Sequence, residues 1–342
     1  MKKTRLTGQP NTMKQVNQGL IRNALILAGT ATRVELSEAT KVSQPTVNAI
    51  IKKMVENGEV VEMGYAFSSG GRKAMRYGFN HERSSVAAVI LNKESMIYEI
   101  GDLSGKSLEK EVVPIQEGKT YLDNLSGLVE KILDKSFHVK GLAVGVPAAV
   151  AKNGQLFAIP QIPELEGVNL KEELQKQFEV SINVLNDINT VAYGYYRKGI
   201  DARIEDMVYI HAGQGLGASL IVNQKVVNGF SSFAGEIGYM RVNGEENVEQ
   251  LLAKENKESK GDIMSRIVAN IISMINPPLM VFGGSNFCDG LLGEIKKYCI
   301  ANLPSGMVPN LMIVEDEEKY YLEGAIQVAI DSVREEIRLV LN

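Results

Sequence analysis

Between Ser43 and Asn57 the chain places hydrogen-bonding side chains at the start of a helix: Gln44, Thr46 and Asn48, then Lys52 and Lys53. A carboxamide both donates and accepts. Gln and Asn therefore suit the major-groove edge of adenine, which offers one donor beside one acceptor. Lysines farther along the helix suit phosphates. The elements that must position these groups surround them. Residues 32–40 read as a short helix with Val34 and Leu36 to Ala39 facing inward, and Lys41-Val42-Ser43 as a tight turn. Ser43 stands as an N-cap, and Pro45 falls in the first helical turn, where its missing N–H costs nothing. Val47, Ile50, Ile51, Met54 and Val55 then form a buried stripe.

Residues 17–27 predict a preceding helix with Leu20, Ile21, Ala24, Leu25 and Leu27 on its apolar side, ended by Gly29. Past Asn57-Gly58, residues 60–65 and 74–79 read as two strands joined by Ser68-Ser69-Gly70-Gly71-Arg72-Lys73. That hairpin is a wing, with Arg72 and Lys73 at its tip in reach of phosphates or a minor groove. Arg33, Lys52, Lys53 and Arg72 are the phosphate candidates, and Gln44, Thr46 and Asn48 the base-reading ones. Together they imply a winged helix-turn-helix whose partner is a double-stranded DNA operator; the rival reading is a protein-interaction module.

Charge supports the DNA reading when it is divided along the chain. Residues 1–80 hold 12 Lys and Arg against 5 Asp and Glu, a net of +7, whereas the other 262 residues hold 25 against 36, a net of −11. A basic head can meet a phosphate backbone that an acidic body would repel. The 342 residues, 44% hydrophobic and 23% charged, fit a small module plus a larger globular body. No apolar run is long enough to span a bilayer and no signal-peptide core is present, so no membrane partner is expected. Cys288 and Cys299 suggest a reducing compartment rather than a disulfide framework, and the expected location is cytoplasmic.

Beyond the head the pattern alternates. Residues 85–91, 96–103 and 107–113 read as a three-stranded meander, followed by a helix at 121–133 and a buried strand at 141–146. A second half repeats the plan with strands at 206–211, 217–222 and 225–228, and a helix at 320–341 ends the chain. Two such halves imply a two-lobed α/β body, residues 81–342, behind a DNA-binding head, residues 1–80.

Five segments carry a family resemblance: Gly145-Val146-Pro147, Asn186-Asp187-Ile188-Asn189, Gly213-Gln214-Gly215-Leu216-Gly217, Ala234-Gly235-Glu236-Ile237-Gly238 and Phe282-Gly283-Gly284. In order and spacing they resemble the ROK family of repressors and sugar kinases, and the head resembles that of the family's repressors. The resemblance implies an actin-like (ribonuclease H-like, hexokinase-like) ATPase fold. It implies that Asp187 matches the kinases' general base, that Asn186 and Glu236 match groups bonding sugar hydroxyls, and that Glu249 matches a further acidic contact. Asn186-Asp187 alone reads better as a capped turn at a helix start; beside Gly235-Glu236 the sugar reading becomes the better one.

The pattern also departs from the family. Where the kinases carry a first phosphate loop, this chain has Ile90, Asn92, Lys93 and Glu94. The glycines that admit phosphate are gone and a carboxylate stands in their place, so no phosphoryl transfer is expected. Many family members bind zinc through a His and a cysteine cluster; here the His position is Tyr239 and residues 241–250 contain no cysteine. No metal and no cofactor are expected, and Tyr239 either bonds a ligand or fills the vacated space. The glycines of 213–217 and 283–284 read as scaffold. The resulting expectation is a DNA-binding transcriptional regulator, a repressor, forming a homodimer or homotetramer and sensing a small-molecule sugar effector without phosphorylating it. The alternatives are a sugar kinase with a DNA-binding head, and a ligand-independent regulator whose body only dimerises.

Overall fold

The computed structural model describes residues 10–65, 73–201, 203–213, 215–242, 244–254 and 257–339. Within the head, Thr32 opens the helix Arg33–Thr40 with a capping box. Its hydroxyl accepts from the Glu35 N–H, and the Glu35 carboxylate accepts from the Thr32 N–H at 2.7 Å. Lys41 closes the helix in the left-handed region, and the Ser37 hydroxyl donates to the Val42 carbonyl at 2.7 Å, which tightens the turn. The helix Gln44–Glu56 then buries Val47, Ile50, Ile51 and Met54 against Ile21, Leu25, Leu36 and Tyr77. Each such side chain contributes roughly 1.5–3 kcal/mol when fully buried, enough to fix the roll of the helix and expose its other face.

Strands Thr30–Thr32, Met75–Phe79 and Val60–Tyr65 form one antiparallel sheet in that order, the last two being the arms of the wing. The tip, including Arg72, lies outside the described residues. A buried ion pair between Arg22 and Glu59 ties the first helix, Pro10–Ala28, to the turn after Gln44–Glu56, with Gln18 donating to the other Glu59 oxygen at 3.1 Å.

Three local expectations are corrected. Val34 and Ala39 are exposed, because a helix of eight residues buries only Leu36 and Val34 lies about 200° around the axis from it. Leu20 and Leu27 are also exposed, since Ile21 and Leu25, with Ala24 and Ile26 packed beside them, face the core of the head from that stretch. Ser43 holds the N-cap position but makes no capping bond, its hydroxyl lying 2.9 Å from that of Thr46 instead.

Two five-stranded sheets of one design build the body. In the first, Ser85–Leu91, Ser95–Asp102 and Ser107–Pro114 form the antiparallel meander, and Val139–Val146 and Ser181–Asn186 extend the other side in parallel. In the second, Met207–Ala212, Leu216–Val222 and Lys225–Val226 are antiparallel, and Leu279–Gly283 and Asn310–Ile313 extend in parallel. Ser85–Leu91 and Leu279–Gly283 are buried at every residue, as central strands covered on both faces must be. The architecture is thus a winged helix-turn-helix followed by a two-lobed actin-like body.

The helices Asp187–Lys198 and Glu317–Leu339 cross in close contact. A Cβ on Gly194 would lie 1.9 Å from the Tyr320 carbonyl oxygen, and one on Gly324 would lie 2.1 Å from that of Thr190. The two backbones meet only because both positions lack side chains. Farther along, Ile326, Ile330 and Val333 of the second helix join an apolar core continuous with that of the head. Among the described residues no helix is long and apolar enough to cross a membrane.

Candidate functional site

On the helix Gln44–Glu56 the side opposite the buried stripe is open. Gln44, Asn48 and Lys52 recur every fourth residue along one exposed flank. Lys52 makes only a loose pair with Glu56 at 3.9 Å. Thr46 is half-buried beside Ser43, and Lys53 turns toward a crevice of about 1070 Å³ between head and body that Lys14, Arg22 and Lys140 also line. Ala49, which the sequence reading passed over, lies exposed at the centre of the open face, where a methyl can meet a thymine methyl. Arg33 is half-buried with its guanidinium 5.0 Å from the Tyr77 ring centroid, and Lys73 is exposed at the base of the wing.

In the body, Ser181–Asn186 runs directly into the helix Asp187–Lys198. Asn186 caps that helix: its side-chain oxygen accepts from the Asn189 N–H at 2.9 Å. Its amide nitrogen donates to the Ala148 carbonyl and to Asp187 Oδ1, both at 3.0 Å. Both N–H groups of Asn186 are therefore occupied, and the residue aims Asp187. The Ile188 N–H also donates to Asp187 Oδ1 at 2.8 Å.

Burial pushes the Asp187 carboxyl up to about 6, against the Ile188 N–H and His211, which hold it down, and with Glu236 adding to the rise. Glu236 is itself raised, first by burial and then by Glu249. The structure thus gathers Asp187, Glu236 and Glu249. Glu249 lies on Val248–Lys254 beside Gly238. Tyr239 does not fill a vacated space: it is 57% exposed, its ring centroid 5.3 Å from that of Phe233.

Three further groups that the sequence does not single out gather beside Asp187. Tyr209 and His211, two apart on one strand and so on one face, both meet Glu317 at the start of the last helix. The Tyr209 hydroxyl donates to Glu317 Oε1, and His211 Nδ1 lies 2.8 Å from the same oxygen. Burial disfavours the imidazolium, but the Glu317 carboxylate outweighs it and raises the His211 pKa. Burial also pushes Glu317 upward, yet the bonds from His211 and Tyr209 leave it below the usual carboxylate range. The two-residue strand spacing was a legible signal for Tyr209 and His211. Glu317, more than 100 residues distant, had none.

At the first sheet turn the Asn92 N–H donates to the Ser95 carbonyl at 2.9 Å, the Tyr121 hydroxyl donates to the Asn92 carbonyl at 2.8 Å, and Lys93 and Glu94 are exposed. This is a closed hairpin turn. On the second lobe, Gly213 packs against the His211 ring and Gly217 against Ile188, while Gly215 opens onto a cavity of about 880 Å³ lined by Glu249, Lys260, Met264 and Phe287. Among the described residues no group of three His, Cys, Asp or Glu side chains is placed to hold a metal ion.

The raised pKa makes a prediction. A carboxyl held at about 6 stabilises the fold, relative to its ordinary ionisation, below pH 4, and that contribution is lost as pH rises through 6. Asp187→Asn keeps the acceptor for Ile188 and removes the charge. It is expected to stabilise the protein by on the order of 2 kcal/mol at pH 7.5 and to be neutral near pH 4, read by denaturant unfolding at both values. A stability difference independent of pH would show that Asp187 is not buried as described.

A winged helix-turn-helix joined to a two-lobed α/β body defines the class: a DNA-binding module on an actin-like body. Residues 20–60 match the winged helix-turn-helix DNA-binding family, and residues 92–251 match the ROK family. The xylose repressor of Caldicellulosiruptor bescii is 23% identical, the match covering 92% of this chain and 86% of that protein. A ROK family transcriptional regulator, a homologue of the Escherichia coli MLC protein, superposes with a TM-score of 0.74 at 15% identity, over 95% of this chain and 99% of that one. The ROK hexokinase of Thermus thermophilus gives 0.60 at 16% identity, over 73% of this chain and 99% of that one. The chain carries a ROK-family domain behind a winged helix-turn-helix DNA-binding domain.

Proposed function

We propose that this chain is a cytoplasmic transcriptional repressor that binds a two-fold operator as a homodimer or homotetramer through residues 1–80. Its body, residues 81–342, senses a sugar or sugar derivative at Asp187, Glu236 and Glu249 without phosphorylating it. The observation that carries this reading is the open face of Gln44, Asn48 and Lys52, set on a helix whose opposite side is locked into the core. Its similarity to a xylose repressor supports a pentose or related sugar as the first effector class to try.

A ligand shifts DNA affinity only by binding two conformations unequally. The helix Glu317–Leu339 supplies a rigid link for such a shift. At one end Glu317 meets His211 and the Tyr321 hydroxyl lies buried beside Asp187, and about 24 Å along, at 1.5 Å per residue, Val333 joins the core shared with the head. Sugar-driven closure would move this helix and with it the spacing of paired heads.

The test begins with the full chain and a random duplex library to select an operator, followed by affinity measurements with neutral sugars, amino sugars and sugar phosphates at fixed salt. The expected result is one sugar class that changes operator affinity at least about fivefold, the lower end of ordinary coupling. A sugar that binds and leaves affinity unchanged would overturn the sensing mechanism. Selection of no sequence would overturn the regulator. The kinase reading draws on one observation, the elevated Asp187 carboxyl, which suits a general base. Sugar-dependent release of ADP from magnesium–ATP, abolished by Asp187→Asn, would establish it.

A further inference from the structure

The first helix of the head, Pro10–Ala28, carries a second apolar stripe besides its core face. Met13, Val16, Leu20 and Leu27 are 58%, 46%, 43% and 89% exposed. Their spacings of three, four and seven residues place them within about 60° of arc on the helix, and the stripe runs about 21 Å. This is the a/d pattern of a coiled-coil seam, and the buried Ile21 and Leu25 lie on a different side. The crevice between head and body is lined from this helix by Lys14, Gln15, Gln18 and Arg22, so the body does not cover the seam.

We propose that this seam is a head-to-head contact between two copies of this chain. Charge selects the occupant. The head carries a net charge of +7, yet the positions flanking the seam are Asn17, Gly19, Ala24 and Ile26, none charged. An acidic partner would find no cation on this rim. An identical helix meets its own apolar residues with no like-charge repulsion, and a two-fold axis lets each copy cover the other with the same side chains. Asn23 takes the remaining d position and is the one polar residue of the seam. The contact holds two recognition helices at a set distance, which is what two half-sites on one duplex require. It concerns assembly and holds whether or not the body senses a sugar.

Leu20 lies midway between Met13 and Leu27, so it approaches its own copy whether the paired helices run parallel or antiparallel. In full-length protein with the exposed native thiol removed by Cys288→Ser, Leu20→Cys is treated with a short bismaleimide. Lys14→Cys, exposed on the same helix away from the seam, is the control. The expected result is covalent dimer forming about tenfold faster from Leu20→Cys than from Lys14→Cys, and slowed about tenfold when Leu27→Glu places a carboxylate in the seam. Because the readout is positional, dimerisation through the body cannot imitate it. Equal rates at the two positions, or a Leu20→Cys rate indifferent to Leu27→Glu, would overturn the proposal. Both substitutions lie on exposed positions, and an unchanged circular dichroism spectrum checks that the head remains folded.

Discussion

Gly194→Ala is expected to lower the stability of the protein by about 3 kcal/mol or more, a large effect for the addition of one methyl group. Two effects oppose each other at this position. Ala in place of Gly inside a helix gains roughly 1 kcal/mol from reduced backbone entropy in the unfolded chain. Against this, the new carbon would lie 1.9 Å from the Tyr320 carbonyl oxygen and 2.8 Å from the Gly324 nitrogen. Those are backbone atoms of a 23-residue helix and cannot rotate away as a side-chain end would. The helices must separate, and their apolar contacts with both sheets loosen together. The clash wins.

The comparison that makes the result diagnostic is Gly127→Ala, on the exposed side of Tyr121–Leu133, where nothing lies within 4 Å of the added carbon. There the propensity gain acts alone, and stabilisation of roughly 0.5–1 kcal/mol is expected. Denaturant midpoints for both variants decide the matter. If Gly194→Ala behaved like Gly127→Ala, the close crossing of Asp187–Lys198 and Glu317–Leu339 would be wrong. The link proposed between cleft and head would fall with it.

The second large effect concerns the recognition helix. Asn48→Ala is expected to weaken binding to a selected operator by roughly 1–3 kcal/mol, about fivefold to 150-fold, while binding to unrelated duplex stays nearly unchanged. Gln44→Ala, on the same flank one helical turn earlier, is expected to act in the same way at a neighbouring base pair. Lys52→Ala should behave differently. It removes one phosphate contact, so affinity falls for every sequence and the slope of log affinity against log salt flattens by about 0.9. Titrations of both duplexes at several salt concentrations separate the two behaviours. None of these side chains belongs to the head's core, so a variant that lost stability along with affinity would contradict its exposed placement.

Much of the fold was open to reading along the chain, for reasons visible in particular elements. The helix 121–133 agrees with the observed Tyr121–Leu133 because Thr120 caps it and its apolar positions keep one helical period. The all-buried strand Ser85–Leu91 is unbroken in hydrophobicity and so could scarcely be anything else. Errors fell where a pattern was too short to fix a face. In Arg33–Thr40 one inward residue suffices, so Val34 and Ala39 were misassigned. In Pro10–Ala28 two apolar stripes share one helix, and periodicity cannot say which faces the core.

The carboxylates Asp187, Glu236 and Glu249 and the phosphate loop lost at Asn92, Lys93 and Glu94 were implied by a family resemblance; by itself the sequence determined the order of elements and the contrast of a basic head with an acidic body. These depend on neighbours within a few residues, where propensity, capping and composition act. Only the tertiary structure decided that Asn186 aims Asp187 through its own hydrogen bonds, that Glu317 joins His211 and Tyr209, and that Gly194 and Gly324 let two helices touch. Each of these joins residues brought together by chain reversal across two sheets. Burial then sets the energetics, because a carboxyl or a glycine acquires its role from the atoms packed around it, and those atoms come from distant parts of the chain.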